Sequence, residues 1–186
     1  RAALPRANDA GWAFAYLLIP AELQWAGLRL YVCLMPLAPT MSHMQRALDE
    51  ARAAAQRGEV PVGALVVAGD GRVLATDGNR TREQHDPTAH AEILAIRAAC
   101  ASVGAERLAD CDLYVTLEPC PMCAAAISFA RIRRLYFGAS DPKGGGVEHG
   151  PRIFNQPTCH HAPEVYGGFS ASEASALLQA FFAERR

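Results

Sequence analysis

Apolar positions recur along this chain with two different periods. Met44, Ala47, Leu48, Ala51 and Ala55 keep the spacing of one helical face, with Arg46, Asp49, Glu50 and Arg52 between them. The pattern predicts an amphipathic helix that ends at Gly58. Residues 60–68 are apolar and β-branched, and Gly69-Asp70-Gly71 separates them from a second extended run at 72–77. Such a turn between two such runs predicts a β-hairpin. Residues 78–87 are polar and read as a loop. Ala89, Ile93, Ile96 and Cys100 mark a second helix that closes near Gly104. Residues 112–117 read as a buried strand, 121–132 as a helix with proline in its first turn, and 134–138 as another strand. The glycine-rich stretch 143–150 predicts a loop. Ser170 and Glu173 have capping-box spacing ahead of Ala174, Leu177, Leu178 and Phe181, so a last helix is expected. Strands that alternate with helices predict a three-layer α/β/α fold, and the hairpin makes its central sheet mixed.

Residues 1–40 differ from the rest. Their longest early run without charge is 10–21, twelve residues, whereas a spanning helix needs about 18–20. No membrane segment is expected. A signal peptide with its apolar part at 12–19 is the sharper alternative. Glu22 and Arg29 follow that run too closely, and the thiols further on suit a reducing compartment. The segment is therefore expected to lie outside the fold, with Met41 or Met44 as the start of a domain over 41–186 and a cytoplasmic location.

Charge narrows the function classes. The 18 Lys+Arg are offset by 19 Asp+Glu, a net charge of −1, which excludes a wholly basic nucleic-acid binder. Without the three cations and two anions of residues 1–40, the balance is 15 to 17. Any nucleic-acid contact must then rest on a local patch. Arg131, Arg133, Arg134, Lys143, Arg152, Arg185 and Arg186 are the candidates.

Six cysteines occur, at Cys33, Cys100, Cys111, Cys120, Cys123 and Cys159. Their spacing is not that of a disulfide scaffold. Cys120 and Cys123 stand out in Pro119-Cys-Pro-Met-Cys, after a predicted strand and at a predicted helix start. Taken alone, such a pair reads as half a zinc finger, a redox pair or two buried small residues. His90-Ala91-Glu92, also at a predicted helix start, decides for metal. One His and two Cys are three zinc ligands with one position left open, which is what a catalytic site requires. His85, His160 and His161 remain formal fourth donors. Glu92 lies close enough in sequence to act as general acid and base beside the metal without ligating it.

The H-x-E…P-C-x-x-C pattern resembles the known signature of zinc nucleobase deaminases. The flanking blocks extend the match. Val60-Pro-Val-Gly-Ala, Asn79-Arg80, Asp86-Pro-Thr-Ala-His-Ala-Glu92, Leu113-Tyr-Val-Thr-Leu-Glu-Pro-Cys120, Ala130-Arg-Ile132 and Phe137-Gly-Ala-Ser-Asp-Pro-Lys143 resemble the bacterial tRNA-specific adenosine deaminase family. The resemblance covers nearly all of 41–186 and none of 1–40. It implies a deaminase-like fold, a homodimer, and conversion of the wobble adenosine of a tRNA anticodon loop to inosine. It implies one Zn2+ per chain on His90, Cys120 and Cys123, with Glu92 moving protons. It implies Asn79 on the target nucleoside and Asp141 near its ribose. Ser140 stands before that aspartate where members often carry a basic residue. At helical spacing only one of Phe181 and Phe182 can face the core, which leaves Phe182 for base stacking, a dimer contact or an ordinary partly buried place.

Two rival readings remain. One is a deaminase of a free base or nucleoside, guanine or cytosine, on the same scaffold. The other is a non-catalytic zinc-stabilised RNA-binding subunit, which would have no need of Glu92.

Overall fold

The computed structural model describes residues 38–185. The expectation for residues 1–40 falls almost wholly outside them. Helix α1 (Ala38–Gln56) starts before Met44, the first residue of its predicted face, and Gly58 at φ +82° turns the chain away after it. The hairpin forms as expected from β1 (Gly63–Ala68) and β2 (Val73–Gly78), paired antiparallel with a bulge at Val66/Val67. Strand β1 is shorter than the apolar run before it because Pro61 has no N–H to give to a ladder. Helix α2 (Ala91–Val103) ends on Gly104, whose left-handed φ of +69° lets its N–H return to the Cys100 carbonyl.

Strand β3 (Cys111–Leu117), helix α3 (Pro121–Phe129) and strand β4 (Arg134–Ala139) follow. Helix α3 stops before the predicted residue 132. Arg131 takes φ +59°, which turns the chain so that the Arg133 N–H can meet the Cys111 carbonyl at the start of β3. A short 3₁₀ turn (Ile153–Asn155), strand β5 (Glu164–Tyr166) and helix α4 (Ala171–Ala183) complete the described chain. The capping box expected at Ser170 and Glu173 does not form. Ser170 is left-handed at φ +52° and its side chain caps nothing, while Glu173 pairs with Arg52 of α1.

The sheet has the order β2-β1-β3-β4-β5. It is mixed, because β1 is antiparallel to β2 and β3, while β3, β4 and β5 are parallel. The pleat sends alternate residues to opposite faces. Ala64, Val66, Leu113, Val115, Leu135 and Phe137 pack with α2 and α3. Leu65, Val67 and Tyr114 pack with Met44, Ala47 and Leu48 of α1 and Ala174 of α4. The result is the expected three-layer α/β/α fold. Gly63 allows the closest approach in it, since a Cβ there would lie 2.0 Å from the Ala47 carbonyl oxygen of α1.

Candidate metal centre and active site

Because β1 is antiparallel to both β2 and β3, those two strands run the same way, and β4 runs with β3. The C-terminal ends of β2, β3 and β4 therefore open on one edge of the sheet. The segments 79–90, 118–120 and 140–150 begin there, which is where open α/β sheets place their ligands. Two of these segments deliver a helix start on the same face of the sheet.

His90 is the N-cap of α2 and Cys120 the N-cap of α3, both with extended backbone. Cys123 lies in the first turn of α3 and is fully buried. The His90 Nδ1 stands 3.7 Å from the Cys120 Sγ and 3.5 Å from the Cys123 Sγ. Donor atoms 2.0–2.3 Å from a tetrahedral zinc ion lie about 3.5–3.8 Å from each other, so both His90 distances suit that ion, and all three donors lie within 4.8 Å of one another. His85, His160 and His161 do not join the cluster, which among the described residues consists of these three. The His161 Nε2 instead meets the Ile132 carbonyl at 2.6 Å.

The electrostatics suit a metal-binding thiolate. The Cys120 thiol is pushed down to about 4, first by the hydrogen bond from Cys123 and then by that with His90, against the effect of burial. Cys123 gives that hydrogen bond, and it and burial push the Cys123 thiol up. The hydrogen bond with Cys120 also raises the His90 imidazole. The open N–H groups and positive dipole ends of α2 and α3 add to the field that favours negative charge here.

Glu92 occupies the first turn of α2, two residues past His90, and is only 4% exposed. Burial raises its carboxyl above the ordinary range, and the neighbouring Cys120 adds to this. A carboxyl in that state can hold a proton and give it up again, which a general acid and base must do.

The remaining predicted residues divide. Asn79 is buried at the head of its loop, where its Oδ1 accepts the Ala91 N–H at 2.9 Å. The Arg80 N–H ties the same loop to the Ala89 carbonyl at 3.0 Å. Asp141 is half-buried, and its Oδ1 accepts the N–H groups of Lys143 and Gly144 at 3.1 and 2.9 Å. It thus shapes its own loop at the sheet edge and does not join the cluster. Phe182 is 48% exposed and meets the buried Phe181 edge-on, as the helical spacing implied. It stands on α4, across the sheet from the cluster.

The candidate cations are mostly engaged. Arg133 pairs with Asp110 and Asp112, and Arg134 with Glu164. Arg131 donates to the His160 carbonyl, and Arg185 lies over the Phe181 ring. Lys143 and Arg152 are exposed, and among the described residues neither has an ion-pair partner.

Two residues that the sequence reading did not single out brace the site. Glu118 and Glu59 are 2% and 1% exposed. Each carboxylate collects backbone N–H groups from a loop at the site. For Glu59, burial opposes ionisation, but the hydrogen bonds from Glu83, Thr81 and Arg82 outweigh it and hold its pKa below the ordinary value. Their only signal in the sequence is a carboxylate set against apolar or proline-containing stretches, with no cation at helical spacing to pair with it.

Comparison with known proteins places this geometry. The sequence profile of the MafB19-like deaminases matches residues 40–186, so the chain belongs to that class of deaminase. A tRNA-specific adenosine deaminase of Agrobacterium fabrum is 66% identical over 143 residues, spanning 77% of this chain and 93% of the relative. A solved structure from a study of A-to-I editing by tRNA:A34 deaminases at the wobble position of transfer RNA superposes with a TM-score of 0.72. It is 66% identical and covers 74% of this chain and 99% of its own. The protein is a member of the tRNA-specific adenosine deaminase family. The guanine deaminase of Bacillus subtilis shares the fold at a TM-score of 0.54 and 32% identity, over 77% of this chain and 92% of its own.

Proposed function

We propose that this enzyme hydrolyses the exocyclic amine of the wobble adenosine in a tRNA anticodon loop, giving inosine and ammonia. One observation carries the reading: three donors of a single ion and a buried carboxylate meet at two helix starts on one sheet edge. The likeness to a tRNA-specific adenosine deaminase over 93% of that relative supports the substrate.

His90, Cys120 and Cys123 would hold one zinc ion, and three protein ligands leave the fourth position for chemistry. Such an ion, when bound, supplies activation of water for attack at neutral pH. The other work falls to this chain's own residues. Glu92 takes a proton from the attacking water and delivers it to the purine ring nitrogen. It then carries a second proton to the amine as the C6–N bond breaks. The first-turn position of Glu92, beside the ligands and out of bulk solvent, keeps these transfers short.

Asn79 spends its side-chain oxygen on Ala91, which leaves its amide nitrogen to donate to the nucleoside. Asp141 sits near the ribose, and the exposed Lys143 and Arg152 meet loop phosphates. The exposed Phe182 ring, across the sheet from the cluster, would stack on a base held outside the pocket. An unpaired loop adenosine suits this pocket, because extruding it costs little.

The enzyme acts as a homodimer. Phe129, at the end of α3, is 73% exposed and borders a cavity of about 230 Å³ with Ala125, Ser128 and Ile153, a surface that a second copy would cover. No described helix is long and apolar enough to cross a membrane. The five described cysteines are free thiols, which suits the reducing cytoplasm where tRNA is found.

A deaminase of free guanine on the same scaffold is the rival reading, favoured by the likeness to the Bacillus subtilis enzyme. The test is incubation of the purified protein with an anticodon stem-loop that carries adenosine at the wobble position. The expected product is inosine at that position alone; an unchanged stem-loop overturns the reading.

A further inference from the structure

Loop 141–149 hangs on one buried carboxylate. The Glu118 Oε1 accepts the N–H groups of Val147, Glu148 and His149 at 3.2, 2.9 and 2.9 Å. The Glu118 Oε2 accepts the Asp141 N–H at 3.0 Å and meets the His149 Nδ1 at 2.7 Å. One side chain thus fixes both ends of the loop. The middle is pinned to the start of α3, where the Gly146 N–H donates to the Pro119 carbonyl at 2.8 Å. The fit is close: a Cβ on Gly146 would lie 2.6 Å from the Pro121 nitrogen, and one on Gly145 would lie 2.5 Å from the Glu118 Oε1.

Glu59 offers an internal comparison. Its Oε1 accepts the N–H groups of Arg82 and Glu83, both at 2.9 Å, and its Oε2 accepts the Thr81 hydroxyl at 3.1 Å. It holds the loop that Asn79 opens. The two carboxylates differ in what an amide could replace. At position 59 a glutamine keeps its carbonyl oxygen on the two N–H groups and points its amide at a hydroxyl, which can accept. At position 118 both oxygens face N–H donors, so one end of the amide must meet a donor with a donor.

We propose that Glu118 is a positioning residue for the substrate, holding loop 141–149 against the start of α3 as one wall of the pocket. This rests on the deaminase reading above. Without Glu118 the loop loses its fixed place while the zinc ligands keep theirs, so the cost falls on substrate binding.

The experiment compares wild type, E118Q and E59Q as zinc-loaded proteins. It reads zinc content, kcat and KM on the wobble-adenosine stem-loop, and amide hydrogen exchange at residues 147–149. E118Q is expected to keep its zinc, to raise KM on the order of tenfold with kcat within about threefold, and to lose protection at 147–149. E59Q, whose bonds do not touch loop 141–149, is expected to keep wild-type zinc content and wild-type protection at residues 147–149. An unchanged KM in zinc-loaded E118Q overturns the proposal, and so does loss of zinc, which would make Glu118 a support of the metal site only. If E118Q does not fold, Gly145→Ala is read in the same way, since its methyl wedges the loop off an intact carboxylate; failure of that variant to fold also overturns the proposal. If wild type leaves the stem-loop unchanged, the functional reading has failed instead. The exchange at 147–149 still decides whether Glu118 holds the loop.

Discussion

The side-chain oxygen of Asn79 accepts the main-chain N–H of Ala91 at 2.9 Å, across twelve residues of chain. The first N–H groups of a helix have no partner within it. At the start of α2, a loop residue fills that gap from outside, while the N-cap His90 makes no cap of its own and leaves its ring to the cluster. The loop that Asn79 opens and the helix that carries His90 and Glu92 are thus tied to each other by this bond.

Asn79→Ala removes that bond and is expected to cost about 1 kcal/mol of stability, the usual loss for a helix cap. Asn79→Asp keeps the acceptor oxygen at a helix start that favours negative charge, so most of the stability should return. The amide donor does not return, and deamination stays low in both variants. Thermal unfolding and stem-loop kinetics read the two effects separately. Full activity in Asn79→Asp would remove the proposed contact with the nucleoside.

His90 and Glu92 lie two residues apart but are assigned different work. His90→Ala is expected to lower bound zinc in elemental analysis. Glu92→Ala is expected to keep zinc and fold while losing at least about 100-fold in kcat, the scale of a lost general acid and base. Unchanged metal in the first variant, or full activity in the second, would break the assignment.

Acid should weaken the fold partly through Glu59. Its pKa in the folded protein lies below the ordinary value of 4.5, so the stability it contributes is complete above that value. That contribution is lost as pH falls through the lower, folded-state pKa. Denaturation curves for wild type and E59Q should therefore converge on going down from pH 5, with wild type the more stable at neutral pH. A constant gap between them at every pH would contradict this account.

Phe129 is expected to hold the dimer. Phe129→Ser removes the apolar ring from the exposed end of α3 and should shift sedimentation from dimer towards monomer at micromolar concentration. A wild-type monomer, or a Phe129→Ser variant that sediments as wild-type dimer does, would exclude this surface.

Much of the fold was legible from its apolar runs and helical faces. The runs of β1 and β3, buried on both faces, and the helical faces of α1 and α2 follow directly from residue order. Strand β5 was missed: it is three residues long, at the sheet edge, and only Val165 of Glu164-Val165-Tyr166 belongs to the core. The capping box at Ser170 failed because Glu173 finds Arg52 on α1, a partner that local sequence does not reveal. Within the site, His90, Cys120, Cys123 and Glu92 follow a fixed spacing that the fold closes into one cluster. Glu59 and Glu118 follow none. Their partners are mostly backbone N–H groups on loops up to 31 residues away, and a backbone group leaves no mark in the sequence.

The measurement that tests the central claim most directly presents the zinc-loaded enzyme with four substrates side by side. These are the wobble-adenosine stem-loop, free adenosine, free cytosine and free guanine. Inosine in the stem-loop, with no ammonia from the other three, is the expected result. Ammonia from a free base, with the stem-loop unchanged, would contradict it.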